Sequence, residues 1–105
     1  MKLVIVMDYK LVHNEDRSRM QAVAKGKTIG LIDYKMAPPK VMTIYHTEVA
    51  TIYEGQGIAA EMTKKLLDFA RENDYKVRPL CPYAKSYLER HTDFQDIIYD
   101  KNSQL

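Results

Sequence analysis

The sequence predicts a mixed α/β (α+β) fold: a mostly antiparallel sheet with one parallel, splayed strand pair and a crossover helix. Three β-prone runs in the first half are joined by connections too short for a crossover, which indicates an antiparallel meander. Residues 41–81 then follow the order strand, glycine loop, helix and strand, which is typical of a parallel crossover unit. Pro79 and Pro82 limit hydrogen bonding by the last strand, so it should splay from its parallel neighbour or lie at an edge.

Length and composition restrict the class of protein. The chain has 105 residues, 46% of them hydrophobic, which predicts a single domain over residues 1–105 with one core. Its 16 basic and 14 acidic residues are interspersed and leave a net charge of +2, which argues against a nucleic-acid partner. Leu3 to Met7 is too short an apolar run for a signal sequence or a membrane span. We therefore expect no membrane partner. Because the lone Cys81 cannot form an internal disulfide, we also expect a reducing, cytoplasmic setting.

The N-terminal half supplies the predicted meander. Leu3 to Met7 is predicted as a strand, although it could equally be an extension over the core or the edge of a homodimer. His13 to Asp16 is predicted as a polar turn. Alternating or β-branched residues predict the strands of the meander at 19–25, 28–36 and 41–49. Gly26-Lys27 makes a hairpin the economical connection between the first two strands, and Pro38-Pro39 ends the second.

The C-terminal half supplies the crossover helix and a second helix. Apolar residues recur at helical spacing after the loop, at Ile58, Met62, Leu66 and Phe69. Because polar residues fill the other face, the pattern predicts a helix over 56–73 with this stripe in the core. The splayed strand is predicted at 75–81 and the second helix at 83–91. The chain after Tyr99 is predicted to be poorly ordered.

The glycine loop is the main candidate for ligand binding. At the start of a helix, unpaired N–H groups and the helix dipole favour an anionic phosphate, and glycine allows it to approach the backbone closely. The spacing matches neither GxGxxG nor a P-loop. Glycines that only make a turn remain the alternative. The loop reads Glu54-Gly55-Gln56-Gly57-Ile58-Ala59-Ala60.

This loop resembles the acyl-CoA pyrophosphate loop of the GNAT acetyltransferases, Arg/Gln-x-x-Gly-x-Gly/Ala, which it matches at Gly57 and Ala59. It departs from the pattern at Glu54, where a carboxylate would repel a pyrophosphate unless the side chain points into solvent. The resemblance implies acetyl-CoA or free coenzyme A as the cofactor. The residues implied in binding it are Val49, Gly55, Gln56, Gly57, Ile58, Ala59, Ala60 and Tyr83.

Two further motifs strengthen the likeness, in order and at matching spacing. Together with the loop, His46 to Val49 and Pro79 to Tyr83 resemble the small single-domain GNAT-like proteins that keep the acetyl-CoA half of the fold. The likeness is strongest over residues 13–98. The N-terminal helices that most GNAT members use to build an acceptor site have no counterpart in this sequence. The resemblance therefore implies acetyl-CoA binding more firmly than it implies any acceptor.

Two residues on one predicted strand are candidates for the general base. Acetyl transfer to an amine requires a fixed thioester, a base for the ammonium proton and a donor for the leaving thiolate. His46 and Glu48 are two positions apart and so share a face, and either could be the base, directly or through a water. In the alternative interpretation Glu48 is a hydrogen-bonded residue at a strand end and His46 a packed core histidine.

Cys81 and two tyrosines are the remaining candidates for the chemistry. Cys81 ends the last predicted strand, where ligands collect in parallel sheets, and a small buried hydrophobe is the alternative. The resemblance implies a cysteine near the thioester as nucleophile, proton donor or wall. We expect Cys81 to assist direct transfer without being an obligatory nucleophile. A tyrosine protonates the thiolate in many GNAT members; Tyr87 is predicted in this role, and core packing is favoured for Tyr83.

The sequence therefore predicts a GNAT-like N-acetyltransferase that transfers acetyl from acetyl-CoA to an unidentified small-molecule or peptide amine. No metal site is predicted. The alternative is a non-catalytic acyl-CoA binding or sensing module, or an accessory subunit. The lack of acceptor-site helices and the presence of Glu54 favour this alternative. His46, Glu48 and Cys81 around one gap favour the enzyme.

Overall fold

The computed structural model describes residues 8–99, which form a five-stranded sheet covered by two α-helices. The strands are β1 (Lys10–Asn14), β2 (Arg19–Ala24), β3 (Lys27–Ala37), β4 (Val41–Val49) and β5 (Lys76–Pro79). The helices are α1 (Ile58–Glu72) and α2 (Pro82–Arg90), and 3-10 turns cover Glu15–Arg17, Thr51–Tyr53 and Thr92–Ile97. Neighbouring strands follow chain order and pair antiparallel, except that β4 and β5 are parallel. The predicted fold class is thus confirmed.

The predicted elements are present with small changes at their ends. Strand β4 has the predicted limits, β2 ends one residue earlier than predicted, and β3 is one residue longer at each end. Helix α1 is shorter than the predicted 56–73 because Gly57 is its N-cap and Asn73 its C-cap. In its apolar stripe the first three residues are fully buried and Phe69 is half-buried. The predicted strand at Leu3 to Met7 and the tail beyond Tyr99 lie outside the described residues.

Strand β1 is an element that the sequence pattern missed. The predicted polar turn at His13 to Asp16 is corrected, because His13 and Asn14 belong to β1 and the turn begins at Glu15. The strand pairs antiparallel with β2, with His13 opposite Met20. Five residues of mixed polarity have little strand signal of their own. Pairing with an existing strand supplies the missing stabilisation, so tertiary context overrides the local pattern.

A β-bulge in β4 decides which side chains face the helices. In the register of β3 and β4, Asp33 lies opposite His46 and Tyr34 lies opposite Ile44, so Tyr45 is an extra residue. Such an insertion reverses the alternation of side chains beyond it. Ile44 is fully buried on the helix side, whereas Tyr45 and His46 are both exposed. From Thr47 onward, the odd-numbered residues of β4 therefore face the helices.

Helix α1 packs across strands β2 to β5 and lies close to the sheet at its N-terminal end. Gly30 of β3 allows this approach, because a Cβ there would come within 3.1 Å of the Met62 methyl carbon Cε and 3.3 Å of the Glu48 carbonyl oxygen. Helix α2 packs against β4, β5 and α1. Neither helix in residues 8–99 is long and apolar enough to span a membrane. The tight packing sets the start of α1 directly beside the end of β4.

Strand β5 diverges from β4, as the prolines predict. The paired register ends with Ile44 opposite Pro79, although β4 continues to Val49. The N–H groups of Leu80 and Cys81 both donate to the Ile44 carbonyl, at 2.9 and 3.1 Å. These two hydrogen bonds to one carbonyl oxygen mark the point where the two strands separate. A gap therefore opens between the end of β4 and the chain that follows β5.

His13 lies in β1, at the opposite edge of the sheet from β5, and makes the stability of the fold sensitive to pH. Its Nε2 lies 2.7 Å from the Tyr34 hydroxyl, and its ring packs edge-on against Phe69 at 4.3 Å between centroids. Burial lowers the pKa of His13, Glu15 opposes this shift, and Lys65 adds to it. The unfolded chain therefore takes up the proton more readily than the folded chain, so stability falls as pH drops below the ordinary histidine value near 6.5.

We expect urea denaturation to show this loss between pH 7.5 and 5.5, and we expect His13→Asn to show a smaller loss over the same range. Asparagine is too small to fill the site, so the variant should also be less stable at pH 7.5. An equal pH dependence in the parent and the variant would assign the effect to another group.

Candidate active site

A cavity of about 460 Å³ lies between the end of β4, the loop that starts α1 and the first turn of α2. Its wall combines main chain and small side chains on the loop side with polar and aromatic side chains on the sheet side. The lining residues are Thr47, Glu48, Val49, Tyr53, Glu54, Gly55, Gly57, Ile58, Ala59, Ala60 and Tyr83. The gap between the two parallel strands thus continues into a cleft at a helix N-terminus, where ligands bind in sheets of this kind.

The loop presents unpaired main-chain donors to this cavity. Gly55 and Gly57 have φ angles of +83° and +80°, a region in which an L side chain is strained. A Cβ on either glycine would meet nothing within 4 Å, so the space beside the loop is open. The first helical N–H that finds a main-chain partner is that of Glu61, which donates to Gly57 at 3.0 Å. The N–H groups of residues 58–60 have no acceptor within the helix and, with the helix dipole, favour an anion.

Thr47 and Cys81 form the inner wall where the strands separate. The Thr47 hydroxyl oxygen lies 3.2 Å from the Cys81 sulfur. Cys81 is 4% exposed and is the N-cap of α2, where its sulfur accepts from the Ala84 N–H at 3.4 Å. Of these residues, Thr47 lines the cavity. The predicted site residue Cys81 therefore lies directly behind a hydroxyl group that the sequence reasoning did not single out.

His46 and Glu48 are paired, as their spacing predicts, on the sheet face opposite the helices. The Nε2 atom of His46 lies 2.7 Å from a Glu48 carboxylate oxygen, and the two side chains are 49% and 61% exposed. Glu48 also lines the cavity. The interpretation of His46 as a packed core residue is corrected by the bulge at Tyr45, which turns its side chain away from the helices. The carboxylate thus contacts the imidazole, and Glu48 lies at the edge of the cleft.

The two tyrosines of α2 occupy different environments. Tyr83 lines the cavity, and burial raises the pKa of its phenol, while Arg90 opposes this shift. Tyr87 is 4% exposed, stacks on His91 with 3.8 Å between ring centroids, and packs against Phe94. The structure brings Tyr83 to the cleft and does not bring Tyr87 there. One helical turn separates the two, but α2 presents the second to the core.

The predicted cofactor residues surround the cleft with one exception. Gln56 does not line it and instead lines a second cavity of about 960 Å³, on the far side of the Thr51–Tyr53 turn. Tyr53 lines both cavities and was missed by the sequence reasoning, as was Thr47. The positions of both depend on the turn and the bulge that follow from packing. Their only sequence signal is their place beside the recognised motifs.

Comparisons with known proteins agree with this geometry. The profile of the family described as GCN5-related N-acetyl-transferase matches residues 17–97. The protein NATD1 of Gallus gallus is 34% identical over 58 residues, which cover 55% of this chain and 53% of that protein. The human NATD1 protein is also 34% identical over 58 residues, covering 55% and 51%. The chain thus spans about half the length of the curated relatives it matches.

Solved structures share the fold. A GCN5-like protein from Staphylococcus aureus superposes with a TM-score of 0.69 at 25% identity, over 86% of this chain and 87% of that one. The GNAT acetyltransferase YhbS of Escherichia coli, in complex with CoA, has a TM-score of 0.51 at 23% identity, over 56% and 37% of the two chains.

Proposed function

The chain belongs to the GCN5-related N-acetyltransferase family, and from this premise we propose that it binds acetyl-CoA and transfers the acetyl group to a primary amine. The observation that carries the proposal is the cleft itself. It joins the main-chain donors at the start of α1 to the gap where β4 and β5 separate. A pyrophosphate at the first and a thioester at the second would be held by one continuous surface.

In this proposal the loop binds the pyrophosphate of CoA. Gly55 and Gly57 leave open space in which the phosphates reach the N–H groups of residues 58–60. Val49 and Ile58 line the cleft with apolar surface for the pantetheine chain, and Tyr83 closes it on the α2 side. Gln56 faces the second cavity, so its contribution is limited to its main chain.

Glu48 acts in the proposal as the base. An amine at neutral pH is protonated and must lose a proton before its nitrogen can attack the thioester carbon. Glu48 lines the cleft, and in the proposal its carboxylate takes this proton directly or through a water, while His46 holds the carboxylate by their 2.7 Å hydrogen bond. Cys81 assists from behind Thr47 and is not an obligatory nucleophile. A reducing compartment keeps its thiol free, so we place the reaction in the cytoplasm.

The proposal is tested by titrating the protein with CoA in a calorimeter and by native mass spectrometry after incubation with acetyl-CoA. We expect a saturable 1:1 complex and release of free CoA when a panel of primary amines, including a lysine peptide and spermidine, is added. No binding of CoA would overturn the proposal. Binding without turnover on any amine would favour the alternative of an acyl-CoA binding or sensing module. An acetyl group on Cys81 that an amine discharges would replace direct transfer by a covalent route.

Glu54→Arg is expected to tighten CoA binding about fivefold at low salt, which is about 1 kcal/mol for an exposed charge. Glu54 lines the cleft, and its replacement turns repulsion of the pyrophosphate into attraction. Calorimetry at two salt concentrations measures the gain, which should shrink at the higher one. Glu72→Arg, the same charge change at the far end of α1, is the control. Equal gains in affinity from both variants would mean that the effect comes from net charge alone. If Glu54→Arg brings no gain, the side chain at position 54 points away from the ligand.

A further inference from the structure

Thr47 separates the Cys81 sulfur from the cleft. The bulge at Tyr45 turns Thr47 toward the helices, and Thr47 is one of the residues that line the cavity. Cys81 is 4% exposed and lies 3.2 Å behind the Thr47 hydroxyl. A ligand in the cleft would therefore meet the hydroxyl group before it met the thiol.

The hydrogen bonds at the sulfur allow the thiol to be the donor in this pair. The Ala84 N–H donates to the Cys81 sulfur at 3.4 Å, so the sulfur is an acceptor on the α2 side. The thiol hydrogen can then be donated to the Thr47 oxygen, which accepts through a lone pair. In that arrangement the single hydroxyl hydrogen of Thr47 remains free for a group in the cleft. The two side chains thus provide a path for one proton from Cys81 through Thr47 to the cleft.

We propose that Thr47 gives the leaving CoA sulfur its proton and is resupplied by the Cys81 thiol. The inference rests on the proposed function and names its proton donor. The amine nitrogen bonds to the acetyl carbon, the carbon–sulfur bond breaks, and its electron pair stays on the CoA sulfur. That sulfur takes the Thr47 hydroxyl hydrogen while the Thr47 oxygen takes the thiol hydrogen. Before the attack, the exposed Glu48 carboxylate passes the first ammonium proton to solvent. It then takes the second proton, which the nitrogen loses as the amide forms, and the Cys81 thiolate, which accepts from the Ala84 N–H, regains a proton from solvent as CoA leaves.

Thr47→Val tests the step because valine keeps the shape of threonine and lacks the hydroxyl group. We expect kcat for release of CoA from acetyl-CoA, with spermidine as the probe amine or with water alone, to fall about 100-fold. The KM for acetyl-CoA and the calorimetric Kd for CoA should stay near the parent values. Thr47→Ser should restore most of kcat. Thr43→Val, on the same strand and outside the cavity lining, is the control and should keep the parent kcat.

A double-mutant cycle with Cys81→Ala separates a proton path from a packing effect. If Thr47 acts with Cys81, Thr47→Val should cause little further loss in the Cys81→Ala background. Full activity of Thr47→Val with normal CoA binding would overturn the proposal and leave the proposed function standing. Loss of activity in Tyr83→Phe alone would assign the proton to that phenol and also overturn it. A parent protein that binds no CoA would overturn both.

Discussion

Gly57→Glu is expected to lower the affinity for CoA by about 100-fold or more, while the protein stays folded. Gly57 lines the cleft at the N-terminus of α1 with a φ of +80°, and the space before it is open. A glutamate there would project a side chain into that space and place a negative charge where the pyrophosphate is proposed to bind. Calorimetric titration with CoA measures the loss, and circular dichroism with thermal unfolding checks the fold.

Gly26→Glu is the matched control for this variant. Gly26 also has a positive φ, +76°, and a Cβ on it would likewise meet nothing within 4 Å, but it lies in the β2–β3 hairpin away from the cleft. Both variants should lose about 1 kcal/mol of stability from the strained backbone. If both keep the parent affinity for CoA, the loop does not bind the pyrophosphate. If both lose it, the effect comes from stability or net charge and not from the site.

Glu48→Gln is expected to reduce kcat for transfer to an amine by about 100- to 1,000-fold, with little change in the Kd for CoA. The amide keeps the shape of the carboxylate but cannot take the ammonium proton. His46→Asn should have a smaller effect, about tenfold, because His46 holds the carboxylate and does not line the cavity. Initial rates of CoA release, measured with the most active amine of the panel, determine both values.

The kinetic constants distinguish the base from a residue that only binds the amine. Loss of the base should lower kcat, whereas loss of a residue that only binds the amine should raise the KM for the amine. Glu72→Gln, an exposed carboxylate at the end of α1, is the control and should match the parent. A Glu48→Gln variant with the parent kcat would exclude Glu48 as the base and direct attention to His46.

Elements with a strong local pattern could be predicted from the sequence. Strand β4 and helix α1 can be recognised from side-chain composition and periodicity alone, and both have nearly the predicted limits. Strand β1 could not be predicted, because its five residues gain their strand conformation from pairing with β2. The same holds for the turn at Thr92–Ile97, where Arg71 reaches from α1 to donate to the Asp93 carbonyl at 2.6 Å. Contacts between residues distant in sequence leave no local period.

The chain's local composition was sufficient to establish the order of elements from β2 to α2, the parallel pair and the loop at the start of α1, because glycine, proline and periodicity act over a few residues. Tertiary structure alone decided which side chains meet. Strict alternation along β4 would put His46 and Glu48 on the same side as the buried Ile44, and the extra residue Tyr45 reverses this. The bulge exists only in the pairing with β3. It exposes His46 and Glu48 and turns Thr47 toward Cys81, because one inserted residue moves every later side chain to the other face.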